Sequence, residues 1–215
     1  MPGCDTRTIS SAAFRRPAVL GLSGGIGSGK SSICTAFRSL GVPCLDIDQV
    51  ARNIHQSPDH PAMSAIADTF PDLITPEGTL RRGSLRTRFA VDASANLALK
   101  QLLEPYVIEE AERWTLAQSA EYVVWESALI AAVASRCQRV LVVDASEKTR
   151  RARVRTRNSD WSEQAIVTVM AMQPTRGGYL HHADDVVINE GSPGELATQV
   201  AALHYEYLKI WSLTP

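Results

Sequence analysis

The chain has 215 residues, with 22 Lys and Arg against 23 Asp and Glu and a formal net charge of −1. That balance, with 45% hydrophobic and 21% charged residues, suits one globular domain with a sizeable core. It supplies no global basic field for nucleic acid or for a membrane surface, and no apolar run reaches bilayer-spanning length. Cys4, Cys34, Cys44 and Cys137 show neither C-x-x-C nor zinc-like spacing and read as reduced thiols in a cytoplasmic protein.

Residues 1–17 lack the apolar stretch of a secretory signal and read as an N-terminal extension. The apolar run Ala18–Ser23 predicts a buried parallel strand. It leads into Gly24-Gly25-Ile26-Gly27-Ser28-Gly29-Lys30-Ser31, which fills every fixed position of G-x-x-x-x-G-K-[ST]. An amphipathic helix over Ser31–Leu40 should follow, its positive end facing the same anion as the cradle amides. The glycines let backbone N–H groups converge on phosphate oxygens without an intervening Cβ. Gly25, Ile26, Gly27, Ser28, Gly29, Lys30, Ser31 and Ser32 are therefore the expected ATP contacts. Lys30 is expected at the β- and γ-phosphates, and the Ser31 hydroxyl at Mg²⁺. The cradle by itself fits a kinase, a motor or a switch.

A second strand is predicted over Val42–Ile47 and a helix over Gln49–His55. Asp46 and Asp48 share one strand parity if the strand runs on that far, and both would then face the ligand crevice. A kinase needs such a carboxylate to orient the acceptor hydroxyl and take its proton. The plain alternative makes Asp48 the cap of the helix starting at Gln49.

Ser57–Ser119 reads mostly as helix and is far longer than a simple crossover requires. Strands follow at Tyr122–Trp125, Val140–Asp144 and Asp185–Asn189, with helices over Glu147–Arg157, Ser162–Met172 and Pro193–Leu208. Alternating strands and helices call for a parallel sheet covered on both faces. Glu126 and Asp144 each end a strand, and either is a candidate to hold Mg²⁺. In the helix over 147–157, Arg153 and Arg157 lie four apart on one face, with Glu147 the only acid close by. They are assigned to the transferred phosphoryl group, and Arg150, Arg151 and Arg155 to a solvated face. Arg81, Arg82, Arg86 and Arg88 form a second basic cluster, suited equally to an anionic acceptor or to a soluble helix face.

With these motifs in place, the chain resembles the dephospho-CoA kinase family from about Val19 to Leu208. The resemblance rests on the GGIGSGKS cradle, the helix ending Leu40-Gly41 and the block Asp46-Ile47-Asp48-Gln49-Val50-Ala51-Arg52. It continues through Gly78-Thr79-Leu80-Arg81-Arg82, Arg153 and Arg157, Gln173, and the stretch Ala183–Gly191. It implies a three-layer α/β P-loop kinase whose nucleotide-binding core spans 18–56 and 120–215, with a lid near 146–162 and a helical acceptor-binding insertion over 57–119. It further implies ATP and Mg²⁺ as cofactors and dephospho-CoA as the small-molecule substrate of a monomer or weak homo-oligomer. Asp48 matches the catalytic base and works with Lys30, Arg153 and Arg157; Asn189 is placed at the adenine. Asp46, Arg52, Arg81 and Arg82 are placed at the acceptor, and Ser31 with Glu126 at the metal. The chain departs from the family pattern at Glu104, a histidine in many members, at Ala128 (Pro) and at Ala132 (Glu). Those departures touch acceptor binding and leave room for a nucleotide-binding protein without turnover; a kinase of another small metabolite is a second alternative, against which the block Asp46–Arg52 argues.

Overall fold

A computed structural model of the protein describes residues 15–81, 83, 92–129 and 134–212. Residues 1–14 of the N-terminal extension, Arg82, Arg86, Arg88 and Ala132 lie outside the described residues. Five strands, β1 (Ala18–Ser23), β2 (Cys44–Asp46), β3 (Tyr122–Glu126), β4 (Arg139–Asp144) and β5 (Asp185–Ile188), form one parallel sheet in the order β2-β3-β1-β4-β5. The described helices are α1 (Lys30–Ser39), α2 (Ile47–Ile54), α3 (Pro61–Thr69), α4 (Ala93–Leu116), α5 (Glu147–Arg157), α6 (Glu163–Ala171), α7 (Arg176–Leu180) and α8 (Pro193–Ser212).

The near-continuous apolar character of the central strands follows from burial on both faces. Leu20, Leu22, Val124 and Val143 pack with Ile33 and Phe37 of α1 and with Leu196, Val200, Tyr207 and Trp211 of α8. Val19, Val123, Trp125 and Val142 point the other way, into a cluster with Ile66 of α3 and Leu103, Val107 and Ala111 of α4. The stretch 57–119 thus shares one continuous core with the sheet. Each large apolar side chain buried in this way contributes about 1.5–3 kcal/mol. Thr115 of α4 fixes the junction, accepting from Trp125 Nε1 at 3.0 Å while donating to the Ala111 carbonyl at 2.8 Å. Among the described residues no helix is long and apolar enough to cross a membrane.

Two boundaries differ from the sequence expectation for local reasons. The β2 strand stops at Asp46, because the Asp46 side chain accepts from the Gln49 backbone N–H at 2.8 Å and caps a helix already begun at Ile47. The cap is therefore Asp46, and Asp48 lies within the first turn of α2 instead of continuing the strand. At the other end, α8 runs past Leu208 to Ser212, because Trp211 extends its buried apolar face.

Candidate active site

The cradle links the carboxyl end of β1 to α1, so its backbone sits at the edge of the sheet where such folds bind ligands. Gly27 has φ +77°, and a Cβ there would stand 2.5 Å from the Arg150 carbonyl oxygen. Gly29 has φ +105° and lies against the Asn189 carboxamide. Both positions need glycine, for conformation and for space. Ser28 is buried, and its hydroxyl has no hydrogen-bond partner among the described residues.

Ile26, Gly27, Gly29, Lys30, Ser31 and Ser32 line a cavity of about 590 Å³. Asp46, Asp48, Arg52, Glu126, Ala128, Arg153, Arg157 and Gln173 line the same cavity. Residues far apart in the chain thus converge around one space because β1, β3 and α2 all end or begin at the same sheet edge.

Burial lowers the Lys30 pKa; Glu126 and Asp48 oppose that shift, while Arg150 and Arg157 add to it. Its Nζ donates to the Gly24 carbonyl at 2.8 Å. Asp48 shows the complementary perturbation. Burial raises its pKa, the Ala128 N–H at 3.4 Å works against that, Asp46 reinforces it, and Arg52 and Lys30 lower it. A desolvated carboxylate of this kind is a stronger base than an exposed one. Asp46 and Arg52 pair at 3.3 Å at the mouth of the cavity.

The two strand-end carboxylates have different surroundings. Asp144 is gripped by Arg176 at 2.5–3.0 Å. Glu126 faces the cavity, where the Cys34 thiol donates to it at 3.3 Å.

On α5 the arginines divide differently from the sequence expectation. Arg151 and Arg155 both pair with Glu163 of α6, an acid brought close by the turn between the helices, so these charges are neutralised within the protein. Arg150, assigned to a solvated face, instead lies over the cradle and donates from Nε to the Ile26 carbonyl at 3.0 Å. Arg153 donates to the Asn189 carbonyl at 3.0 Å and reaches the Ser28 carbonyl at 3.4 Å. Arg157 lines the cavity.

Asn189, expected at the adenine, is buried and donates its carboxamide to the Ser28 carbonyl at 2.7 Å, so its side chain braces the cradle from behind. Arg81 is exposed and donates to the Ile74 carbonyl at 2.9 Å, outside the cavity lining. Glu104 is exposed on α4. Arg113, a candidate partner for it, pairs with Glu110. Arg150, which the sequence assigns to a solvated face, and Gln173, which it offers only as a motif match, both contact the cradle at Ile26. Gln173 accepts from the Ile26 N–H at 2.7 Å, so Ile26 is held on both sides of its peptide. The signal for Arg150 was its spacing, one turn before Arg153.

Comparison with known proteins gives a consistent result. The family model described as dephospho-CoA kinase matches residues 18–195. A dephospho-CoA kinase of Salmonella typhimurium is 39% identical over 194 residues, covering 89% of this chain and 93% of the relative. That of Escherichia coli K12 is 37% identical over 197 residues, covering 90% and 95%. Among solved structures, a Thermus thermophilus protein superposes with a TM-score of 0.76 at 26% identity, covering 94% of this chain and all of its own. A Campylobacter jejuni dephospho-CoA kinase shares the fold, with a TM-score of 0.62 at 17% identity over 89% of this chain and 97% of its own. With a family model spanning both the cradle and the α5 arginines, and relatives matched over nearly their full length, this chain belongs to the dephospho-CoA kinase family.

Proposed function

We propose that the protein transfers the γ-phosphate of ATP to the ribose 3′-hydroxyl of dephospho-CoA, giving CoA and ADP. The observation that carries the residue assignment is the placement of Asp48. It is a desolvated carboxylate that lines the same cavity as the cradle, within electrostatic reach of Lys30. In this reading the acceptor hydroxyl lies between Asp48 and the γ-phosphate. Asp48 takes its proton as the new P–O bond forms and the bond to the β,γ-bridging oxygen breaks. Lys30 and the cradle amides hold the β- and γ-phosphates. Arg153 and Arg157 neutralise charge developing on the transferred group.

Ser31 and Glu126 both line the cavity and offer only oxygen donors, which fits Mg²⁺, an ion held by one or two protein groups with phosphates and water. Bound there, the ion would neutralise charge on the β- and γ-phosphates. In this reading the ion-paired Asp46 and Arg52, which line the cavity, meet the acceptor, and the helices of 57–119 bind the rest of it.

The direct test is CoA formation from dephospho-CoA and MgATP, followed by mass spectrometry. Lys30→Ala should retain the fold and abolish transfer. ADP release indifferent to dephospho-CoA, or faster turnover with another hydroxyl acceptor, would overturn the proposal.

A further inference from the structure

Arg150 turns away from the acid that holds its neighbours on α5. Arg151 and Arg155 pair with Glu163, whereas Arg150 Nε donates to the Ile26 carbonyl at 3.0 Å. Its guanidinium also lies so close over the cradle that a Cβ at Gly25 would collide with it. The turn of α5 that presents Arg150 is tethered to the end of β5. Thr149 Oγ1 donates to Glu190 at 2.6 Å, and Glu190 also takes the Ser146 N–H.

The cradle amides around this contact are not equivalent. Gln173 accepts from the Ile26 N–H at 2.7 Å, and the Gly25 carbonyl accepts from the Ser28 N–H at 3.0 Å. The Gly27 N–H between them has no hydrogen-bond partner among the described residues. That N–H and the Ile26 carbonyl belong to one peptide unit. In a planar trans peptide the two groups point in opposite directions, so a hold on one sets the aim of the other. Gly27 lines the cavity together with Lys30.

We infer that Arg150 is a positioning residue for the nucleotide: by holding the Ile26 carbonyl, it fixes the plane of the Ile26–Gly27 peptide and keeps the Gly27 N–H aimed at phosphate oxygens of ATP. The inference rests on the reading of the cradle as the ATP site and is independent of the acceptor. The need for such a hold is conformational. Gly27 has φ +77°, and a glycine leaves the peptide before it freer to rotate than any other residue would. An amide turned out of line gives a weak hydrogen bond to an anion.

Because the bond comes from Nε, the test can be set atom by atom. Glutamine places an amide nitrogen at the same point along the side chain, whereas lysine and methionine place carbon there. Arg150→Met and Arg150→Lys should each weaken MgATP binding roughly 3- to 10-fold, the scale of one hydrogen bond, by isothermal titration calorimetry without acceptor. Arg150→Gln should stay within about twofold of the parent. AMP, which lacks the β- and γ-phosphates that the cradle holds, should bind the variants and the parent alike. Parental MgATP affinity in the Met and Lys variants would overturn the inference. So would the reverse order, Lys near the parent and Gln weak, which would mark an effect of charge alone. Equal losses for MgATP and AMP would mark general disruption and overturn it too. If the Met variant does not fold, the contrast between Lys and Gln carries the same test. Failure of the underlying reading looks different: the parent itself would not bind MgATP.

Discussion

The guanidinium of Arg176 holds both carboxylate oxygens of Asp144, with Nε 3.0 Å from each and Nη2 2.5 Å from one. That contact separates two acids that look equivalent in the sequence, each ending a buried strand. Glu126 is left facing the cavity with Lys30 and Ser31. Glu126→Gln should therefore raise the Mg²⁺ concentration needed for half-maximal rate and lower kcat. Asp144→Asn should lower the melting temperature and leave the Mg²⁺ dependence alone. Metal titrations of both variants, with thermal unfolding, check the assignment.

Asp48→Asn should slow transfer by roughly 10²-fold while making the protein more stable at neutral pH. Folding raises the Asp48 pKa above its ordinary value of 3.8. The protonated carboxyl favours the fold at low pH, and that contribution is lost as pH rises through the folded value. Asparagine stays neutral throughout. The stability gain should be present at pH 7, shrink as pH falls through the raised folded value, and vanish below 3.8, where the parent carboxyl is neutral in both states. Helix capping is not at stake, because Asp46 supplies the cap. Thermal melts across that range, beside kcat at pH 7, give the answer.

Arg153 uses both terminal nitrogens of its guanidinium: Nη1 meets the Asn189 and Ser28 carbonyls at 3.0 and 3.4 Å, and Nη2 donates to Asn189 Oδ1 at 3.3 Å, a two-nitrogen fork that a single ammonium does not reproduce. Arg153→Lys keeps the charge and should still lower kcat/KM for ATP by roughly 10-fold. Asn189→Ala added to it should cost less than Asn189→Ala alone, because both side chains brace the same Ser28 carbonyl. Steady-state kinetics on the two single variants and the double variant test the coupling.

Thr115→Val removes the acceptor of Trp125 Nε1 at a fully buried site and strands that N–H. The expected cost is about 1–3 kcal/mol of folding stability, measured by denaturant unfolding, with kcat unchanged. A variant as stable as the parent would mean that Trp125 finds another acceptor.

The sequence by itself determined the local chemistry. The cradle was complete in register, and its Gly27 and Gly29 answer backbone requirements that a residue with a Cβ meets only under strain. The strands β1, β3 and β4 were legible because burial on both faces demands unbroken apolar runs, and α5 was legible from the density and spacing of its arginines. The pair Asp46 and Asp48 was visible as chemistry, but not as geometry. Which of them caps α2 depended on a single hydrogen bond to Gln49, and strand parity carries no information about where a strand ends.

Tertiary structure alone decided how partners were distributed. Glu163 meets Arg151 and Arg155 because α6 packs against α5; Arg150 lies on the cradle because α5 follows β4, the strand paired beside β1. The Asn189 side chain braces Ser28 across 161 residues of chain, and Tyr179 reaches Ala128 across 51. The physical reason is common to all of these. A motif records what a few consecutive residues must do with their own backbone, whereas the pairing of a charge or a hydroxyl depends on distances between elements, and those are set by packing in the shared core.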